Sequence, residues 1–204
     1  ITGYGTDGPW STRPGQDLLV QSLSGLCWLN GNQSQPPLPI SVGITDIMAG
    51  EHLAQGILSG LYRRSVSGEG MRVDVSLLES ALDIQFEGIT AFLNDHELPV
   101  RSRVNNANAY VAAPYGIYST ADGYMALAMT PIPTLAQLLD CPELEPYTDP
   151  AGWSLRRDEI KSILVRHLKT QTTAYWLAIL EPADIWCARV MTWDELMDSE
   201  GFRL

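Results

Sequence analysis

The sequence predicts an α/β protein in which an N-terminal domain is followed by a second, α+β domain. Three observations carry that prediction. A helical apolar period runs from Met48 to Arg64, short extended segments lie near it, and the texture changes past about residue 105 to a β-hairpin with short helices. The domains are therefore expected at residues 1–104 and 105–204.

Residues 1–14, ITGYGTDGPWSTRP, are rich in Gly, Pro, Ser and Thr and read as the end of a strand followed by a loop. Apolar spacing is helical from Asp17 to Leu26, with Asp17 near the N-terminus of that helix. Turn chemistry dominates Asn30 to Leu38, NGNQSQPPL. In the long helix that follows, Leu53, Ala54, Ile57, Leu58 and Leu61 share one side. Gly50, Gly56 and Gly60 interrupt it at roughly 1 kcal/mol each against Ala. Glycines so spaced predict close packing against another backbone. A turn at Ser67–Gly70 then leads to a short alternating strand, Met71 to Val75, and a second helix from Leu77 to about Leu93.

Asn94 to Ala109 is polar and aperiodic, and reads as a linker. The run YGIYSTADGYMALAM predicts a hairpin turned at Ala121-Asp122-Gly123, with Asp-Gly as the turn pair. Helices are expected at about Thr134–Asp140, Ser154–Leu168 and Thr173–Leu180, and a short strand at Ile185–Val190. A last helix spans Thr192–Asp198, where Thr192 and Glu195 have capping-box spacing.

A hydrophobic fraction of 45% over 204 residues is that of a folded globular protein. No apolar run approaches the ~18 residues that span a bilayer. The N-terminus lacks an initiator Met and reads as that of a fragment or a processed chain. Cys27, Cys141 and Cys187 are odd in number, far apart and set among apolar residues, as reduced thiols of a cytoplasmic protein are. The net charge of −11 argues against nucleic acid and anionic membranes as partners. A phosphate-bearing ligand would need local cations, for which Arg13, Arg63, Arg64, Arg101 and Arg103 are candidates.

No phosphate loop, dinucleotide fingerprint, Gly-x-Ser-x-Gly elbow or pair of histidines at metal-ligand spacing is present, so no metal is expected. His52 lies six residues past Asp46, on another side of the helix, and reads as a surface or packing residue. Two readings of Asp46 remain open. Asp is a strong N-cap, accepting from first-turn amides. A carboxylate at a helix N-terminus is also held ionised beside preformed donors, and can attack an activated carbonyl.

Three blocks resemble the family III CoA-transferases, the CaiB/BaiF group. They are GYGTDGPWSTRPGQDLLVQSLSGL, GITDIMAGEHLAQGILSGLYRRSVSGEGMRVDVSLLESAL and YGIYSTADGYMALAM. The likeness extends to the tail ADIWCARVMTWDELMDSEGF, where Ile-Trp-Cys-Ala-Arg-Val stands in place of the family's Ile-Pro-Cys-Gly-Pro-Val-like run. The resemblance implies a Rossmann-like large domain, incomplete in this chain, a smaller α+β domain, and an interlocked homodimer. It implies transfer of CoA from an acyl-CoA to a free carboxylic acid, with coenzyme A as substrate and product and no permanently bound cofactor.

Asp46 falls where the family carries its nucleophilic Asp, and Arg13, Gly15, Gln16 and Asp17 match positions that line the CoA site. Arg13 reads equally as a phosphate partner or a surface arginine. At Gln16 the family's racemases carry a His, and an amide cannot replace a titrating base, so transfer is expected ahead of racemisation. Some transferases of the family close a glycine-rich loop over the intermediate. Here the counterpart is NNANAYVAAP, without the glycine run, where Asn105, Asn106 and Asn108 would form either a lid or a plain linker. A third reading is a truncated chain with no activity of its own.

Overall fold

The computed structural model describes residues 1–203. They form two compact units, one of residues 1–31 with 35–99, the other of residues 32–34 with 100 onward. The expected division at 104/105 thus lies a few residues past the observed one. The cause is local: the guanidinium of Arg157 donates to the Val100 carbonyl, and the Arg103 amide donates to Asp158 Oδ1 at 3.0 Å. Residues 100–104 are thereby tied to a helix of the second unit.

The first unit holds five helices: α1 (Asp17–Leu23), α2 (Leu26–Leu29), α3 (Ile44–Ser67), α4 (Leu77–Asp83) and α5 (Phe86–Asp95). Its buried core is small. Val20, Ala49, Leu77 and Ala81 form it, with Tyr4, Val75 and Leu78 packed against them. Along the 24 residues of α3 only Thr45 and Ala49 are buried. Ile57, Leu58 and Leu61 of the expected apolar side are exposed, Leu58 by 66%. The helical period was correct; no partner in this unit covers it.

Two expected elements differ. Met71–Val75 forms no strand, because the backbone pairs beside it at a single bridge. Thr2 bridges Ser76 in parallel fashion, with Thr2 N 3.0 Å from the Val75 carbonyl and Leu77 N 2.9 Å from that of Thr2. A strand needs a ladder, and a single bridge does not make one. The helix expected from Leu77 to Leu93 breaks after Asp83. Gln85 Nε2 takes the Ala81 carbonyl at 2.7 Å, the acceptor that a continuing helix would offer to the Gln85 amide. That amide turns instead to Leu82 at 3.1 Å.

The second unit is α+β. Strands β1 (Gly116–Ser119), β2 (Tyr124–Leu127) and β3 (Cys187–Arg189) make one antiparallel sheet in that order. Tyr118 pairs with Met125 and Gly116 with Leu127, so the hairpin turns over Thr120–Gly123, as its Asp-Gly pair predicts. Asp122 then does a second task. Its Oδ1 accepts from the Thr173 amide at 2.8 Å and hydroxyl at 3.0 Å, which docks the hairpin tip on the start of the helix Thr173–Leu180.

Helices α6 (Ile132–Leu138), α7 (Pro150–Leu155), α8 (Arg157–Leu168), α9 (Thr173–Leu180) and α10 (Trp193–Asp198) complete the unit. The helix expected over Ser154–Leu168 is two helices, divided at Arg156, whose φ of −107° and ψ of 26° leave the helical region. Alternation puts Tyr118, Met125 and Leu127 on the inner sheet face, against Ile132 and Leu135 of α6, Ile160, Leu164 and Leu168 of α8, and Trp176 and Leu180 of α9. Thr192 and Glu195 close the capping box at α10.

Candidate active site

Helix α3 opens at Gly43, which has no side chain with which to cap it, so its first amides need an acceptor from elsewhere. Asp17 supplies that acceptor across 28 residues of sequence. Its Oδ1 accepts from Thr45 N at 2.9 Å and Thr45 Oγ1 at 2.8 Å, and its carboxylate also takes the Asp46 amide. Its Oδ2 accepts from Gln21 Nε2 at 2.7 Å. Burial pushes the Asp17 carboxyl up, but the donors from Thr45, Gln21 and Asp46 together outweigh it and hold it below the usual carboxylate range.

Gln21 is buried one helical turn along from Asp17. Besides the bond to Asp17, its Oε1 accepts the Ile40 amide at 2.9 Å, and its Nε2 lies 3.3 Å from the carbonyls of Ile40 and Val42. One face of α1 therefore fixes both the approach to α3 and its first turn.

Asp46 is the third residue of α3, not the residue before it. The helix begins at Ile44, four residues ahead of the periodic stretch that starts at Met48. The capping reading of Asp46 is thereby corrected, since Asp17 occupies the first-turn amides. The Asp46 side chain is exposed, and its carboxylate has no hydrogen bond or ion pair among the described residues. A β-carbon on Gly43 would lie 3.6 Å from Asp46 Oδ2, so the bare glycine keeps that side of the carboxylate clear. The α3 dipole favours the anion there. An exposed, unpartnered carboxylate at a helix start is equipped to act as a nucleophile toward an electrophilic carbonyl.

The neighbouring arm carries the other expected residues. Gly15 touches Gly3 backbone to backbone; a β-carbon on Gly15 would stand 2.5 Å from Gly3 Cα. Gln16 caps α1, its Oε1 accepting the Leu18 amide at 3.1 Å. The Arg13 guanidinium lies 4.9 Å from the Trp10 ring centroid, and Trp10 meets Tyr4 edge-on at 5.9 Å. Arg13 is exposed, whereas Arg101 is buried, Arg63 pairs with Glu69 at 3.2 Å, and Arg103 approaches Asp158 at 3.7 Å.

Asn105, Asn106 and Asn108 belong to the second unit, where the side chains of Asn106 and Asn108 serve their own segment and the buried Asn105 Nδ2 has no hydrogen-bond partner among the described residues. Asn106 Oδ1 accepts from Ser102 N, Asn108 Oδ1 from Tyr110 N, and the Asn106 amide donates to Asn32 Oδ1, each at 2.9 Å. Sequence reasoning missed Thr45 and Gln21. The signal for Gln21 was its i+4 spacing from Asp17, which suits an Asp–Gln pair on one helix. Nothing local marked Thr45, whose partner is distant.

Two other constellations carry no chemistry. His52 Nδ1 lies 2.9 Å from Ser80 Oγ and its Nε2 3.1 Å from Asp83 Oδ2. The order resembles a hydrolytic triad, but Ser80 is fully buried and donates to the Ser76 carbonyl, so the group packs α3 on α4. Cys27, Cys141 and Cys187 are free thiols; burial pushes Cys141 and Cys187 up, away from the reactive thiolate. Among the described residues no group of three His, Cys, Asp or Glu side chains could hold a metal ion, and no helix is long and apolar enough to cross a membrane.

The model of CoA-transferase family III matches residues 1–204, the whole chain. The chain belongs to CoA-transferase family III. Among the curated members to which this family III chain is similar, an acyl-CoA transferase of Fusarium pseudograminearum is 31% identical over 193 residues, covering 91% of this chain and 41% of the relative. A human succinyl-CoA:glutarate CoA-transferase is 28% identical and likewise covers 91% of this chain and 43% of its own length. The crystal structure of a CaiB/BaiF family protein from Brucella suis superposes with a TM-score of 0.82 at 26% identity, over 100% of this chain and 55% of that one. The chain spans about two fifths of the length of these curated relatives. The mixed α/β fold with its small sheet is that of the CaiB/BaiF structures, present in part.

Proposed function

We propose that this family III chain carries the nucleophile of a CoA-transferase, and that Asp46 is that nucleophile. One observation carries the reading. The first turn of α3 is capped by Asp17, which leaves the Asp46 carboxylate exposed and without a partner. The names of the relatives, an acyl-CoA transferase and a succinyl-CoA:glutarate CoA-transferase among them, support acyl-CoA and a carboxylic acid as the substrates.

In this mechanism a carboxylate oxygen of Asp46 attacks the thioester carbonyl, the C–S bond breaks, and CoA thiolate leaves a mixed aspartyl–acyl anhydride. The thiolate attacks the Asp46 carbonyl and expels the donor as a free acid, giving an aspartyl-CoA thioester. The acceptor carboxylate attacks that thioester and thiolate departs again. Thiolate then takes the acceptor's acyl carbon, forming the new acyl-CoA and restoring Asp46. Each attack builds an oxyanion, for which one backbone donor can be worth ~3 kcal/mol. Asp17 holds Thr45 and the Asp46 backbone in place throughout, and Gly43 leaves the attacking oxygen accessible.

Arg13, Gly15 and Gln16 stay in the proposal as residues beside the CoA, Asp17 as the residue behind the nucleophile. The alternative, racemisation, needs a second base, and Gln16 offers an amide already used to cap α1. The complete protein is proposed to work as a homodimer in the cytoplasm. The test uses that protein with succinyl-CoA and a series of carboxylic acids, following thioester exchange and α-proton exchange separately. Hydroxylamine added during turnover is expected to leave a hydroxamate on Asp46. Full transfer by Asp46→Ala overturns the reading, and a 204-residue chain that transfers nothing while the complete protein does identifies it as a dependent part.

A further inference from the structure

Lys161, in the middle of α8, is fully buried, and no step of the proposed reaction uses it. Its Nζ lies 2.9 Å from the Asn105 carbonyl and 3.4 Å from Ser102 Oγ. One turn earlier on the same helix, Arg157 donates to the Ala109 carbonyl at 2.6 Å, to that of Val111 at 3.5 Å, and to Val100. Between them Asp158 Oδ1 takes the Arg103 amide. Three side chains of one helix thus hold the segment from Val100 to Val111 along its length.

The far side of the segment is held as well. Asn105 has a left-handed φ of 48°, and a β-carbon on Gly116 of β1 would come within 3.0 Å of the Asn105 carbonyl. The glycine thus makes room for the carbonyl that Lys161 grips. Buried charge is costly, and an ammonium kept at such a site needs acceptors. Here the acceptors belong to the segment.

We propose that Lys161 is a positioning residue that clamps residues 100–111 to α8, so that the segment carrying Asn105, Asn106 and Asn108 is held fixed on its own unit and does not move as a lid. The clamp is a property of this chain alone. Only its bearing on catalysis rests on the transferase reading, so the test below reads the clamp without activity.

Burial lowers the Lys161 ammonium to about 8, with Arg157 pushing the same way and Asp158 opposing. The other ionisable groups on the packed elements are Arg101, Arg103 and Tyr110 of the segment and Tyr118 of β1. A released Lys161, back in water near its ordinary value, binds its proton more tightly than the clamped one. Raising the pH above 8 therefore tightens the clamp.

The reporters are the amides of Ser102, Arg103 and Asn106, whose acceptors are side chains of the clamp region. Their hydrogen-exchange protection, corrected for intrinsic exchange, is expected to climb with pH above 8, by up to roughly tenfold per unit. In Lys161→Met it falls tenfold or more and loses that pH dependence, while the Ala128 and Val190 amides of the sheet keep theirs. Unchanged protection at the three reporters, or an equal loss at Ala128 and Val190, overturns the proposal. Gly116→Ala leaves Lys161 in place and presses on the Asn105 carbonyl, so it is expected to loosen the same three amides. If Lys161→Met does not fold, unaltered reporters in Gly116→Ala overturn the proposal by themselves.

Discussion

Asp17 Oδ1 stands 2.9 Å from the Thr45 amide nitrogen and 2.8 Å from the Thr45 hydroxyl, and this pair separates the two carboxylates of the site into different tasks. Asp17 is buried and saturated with donors. Asp46, one residue beyond Thr45, is exposed and has none of its own. With Asp17 capping the first turn of α3, the Asp46 carboxylate is left without a hydrogen-bond partner of its own.

Replacing Asp46 is expected to cost activity and almost no stability. Asp46→Ala removes the proposed nucleophile, and transfer by the complete protein should fall at least a thousandfold. Its unfolding free energy should change by less than about 1 kcal/mol, since only the interaction with the α3 dipole is lost. Denaturant unfolding beside a thioester-exchange assay checks both halves.

Asp17→Ala reverses that pattern. It strands the Thr45 amide and hydroxyl and the Asp46 amide, and takes from Gln21 Nε2 its shortest hydrogen bond. The expected destabilisation is about 3 kcal/mol. The sign with pH follows from the lowered carboxyl. Stability owed to Asp17 is fully present above its unfolded value near 4, and is lost as pH falls below that toward the folded value. Acid unfolding of the natural protein should show this loss, and Asp17→Asn should not.

Gly15→Ala should fail structurally. Its β-carbon would lie 2.5 Å from Gly3 Cα, and both contacting atoms are backbone. A loss of about 3 kcal/mol or more is expected by thermal or denaturant unfolding, because neither arm can yield without displacing Gln16 and Asp17.

The helical glycines of α3 should part company. At Gly50 an added methyl meets nothing within 4 Å, so Gly50→Ala is expected to gain about 0.5–1 kcal/mol. At Gly56 the same methyl would come within 2.4 Å of Val73 Cγ1, and Gly56→Ala should destabilise. Paired unfolding curves of the two variants make the comparison. Close packing was thus the right reason for Gly56, though the partner is a side chain and not a backbone.

Much of this protein was determined by local pattern. The period of α3, the Asp122-Gly123 turn and the Thr192–Glu195 capping box rest on interactions within a few residues, which a linear sequence displays, while the candidate status of Asp46 rests on the family resemblance of the block around it. Only tertiary structure decided that the Thr45 amide belongs to Asp17, that Met71–Val75 lacks a ladder, and that residues 100–104 fall with α8. Each of those outcomes depends on which distant group reaches a backbone amide or carbonyl first. A buried donor must be satisfied by whatever the fold brings within 3 Å, and spacing along the chain does not encode that meeting.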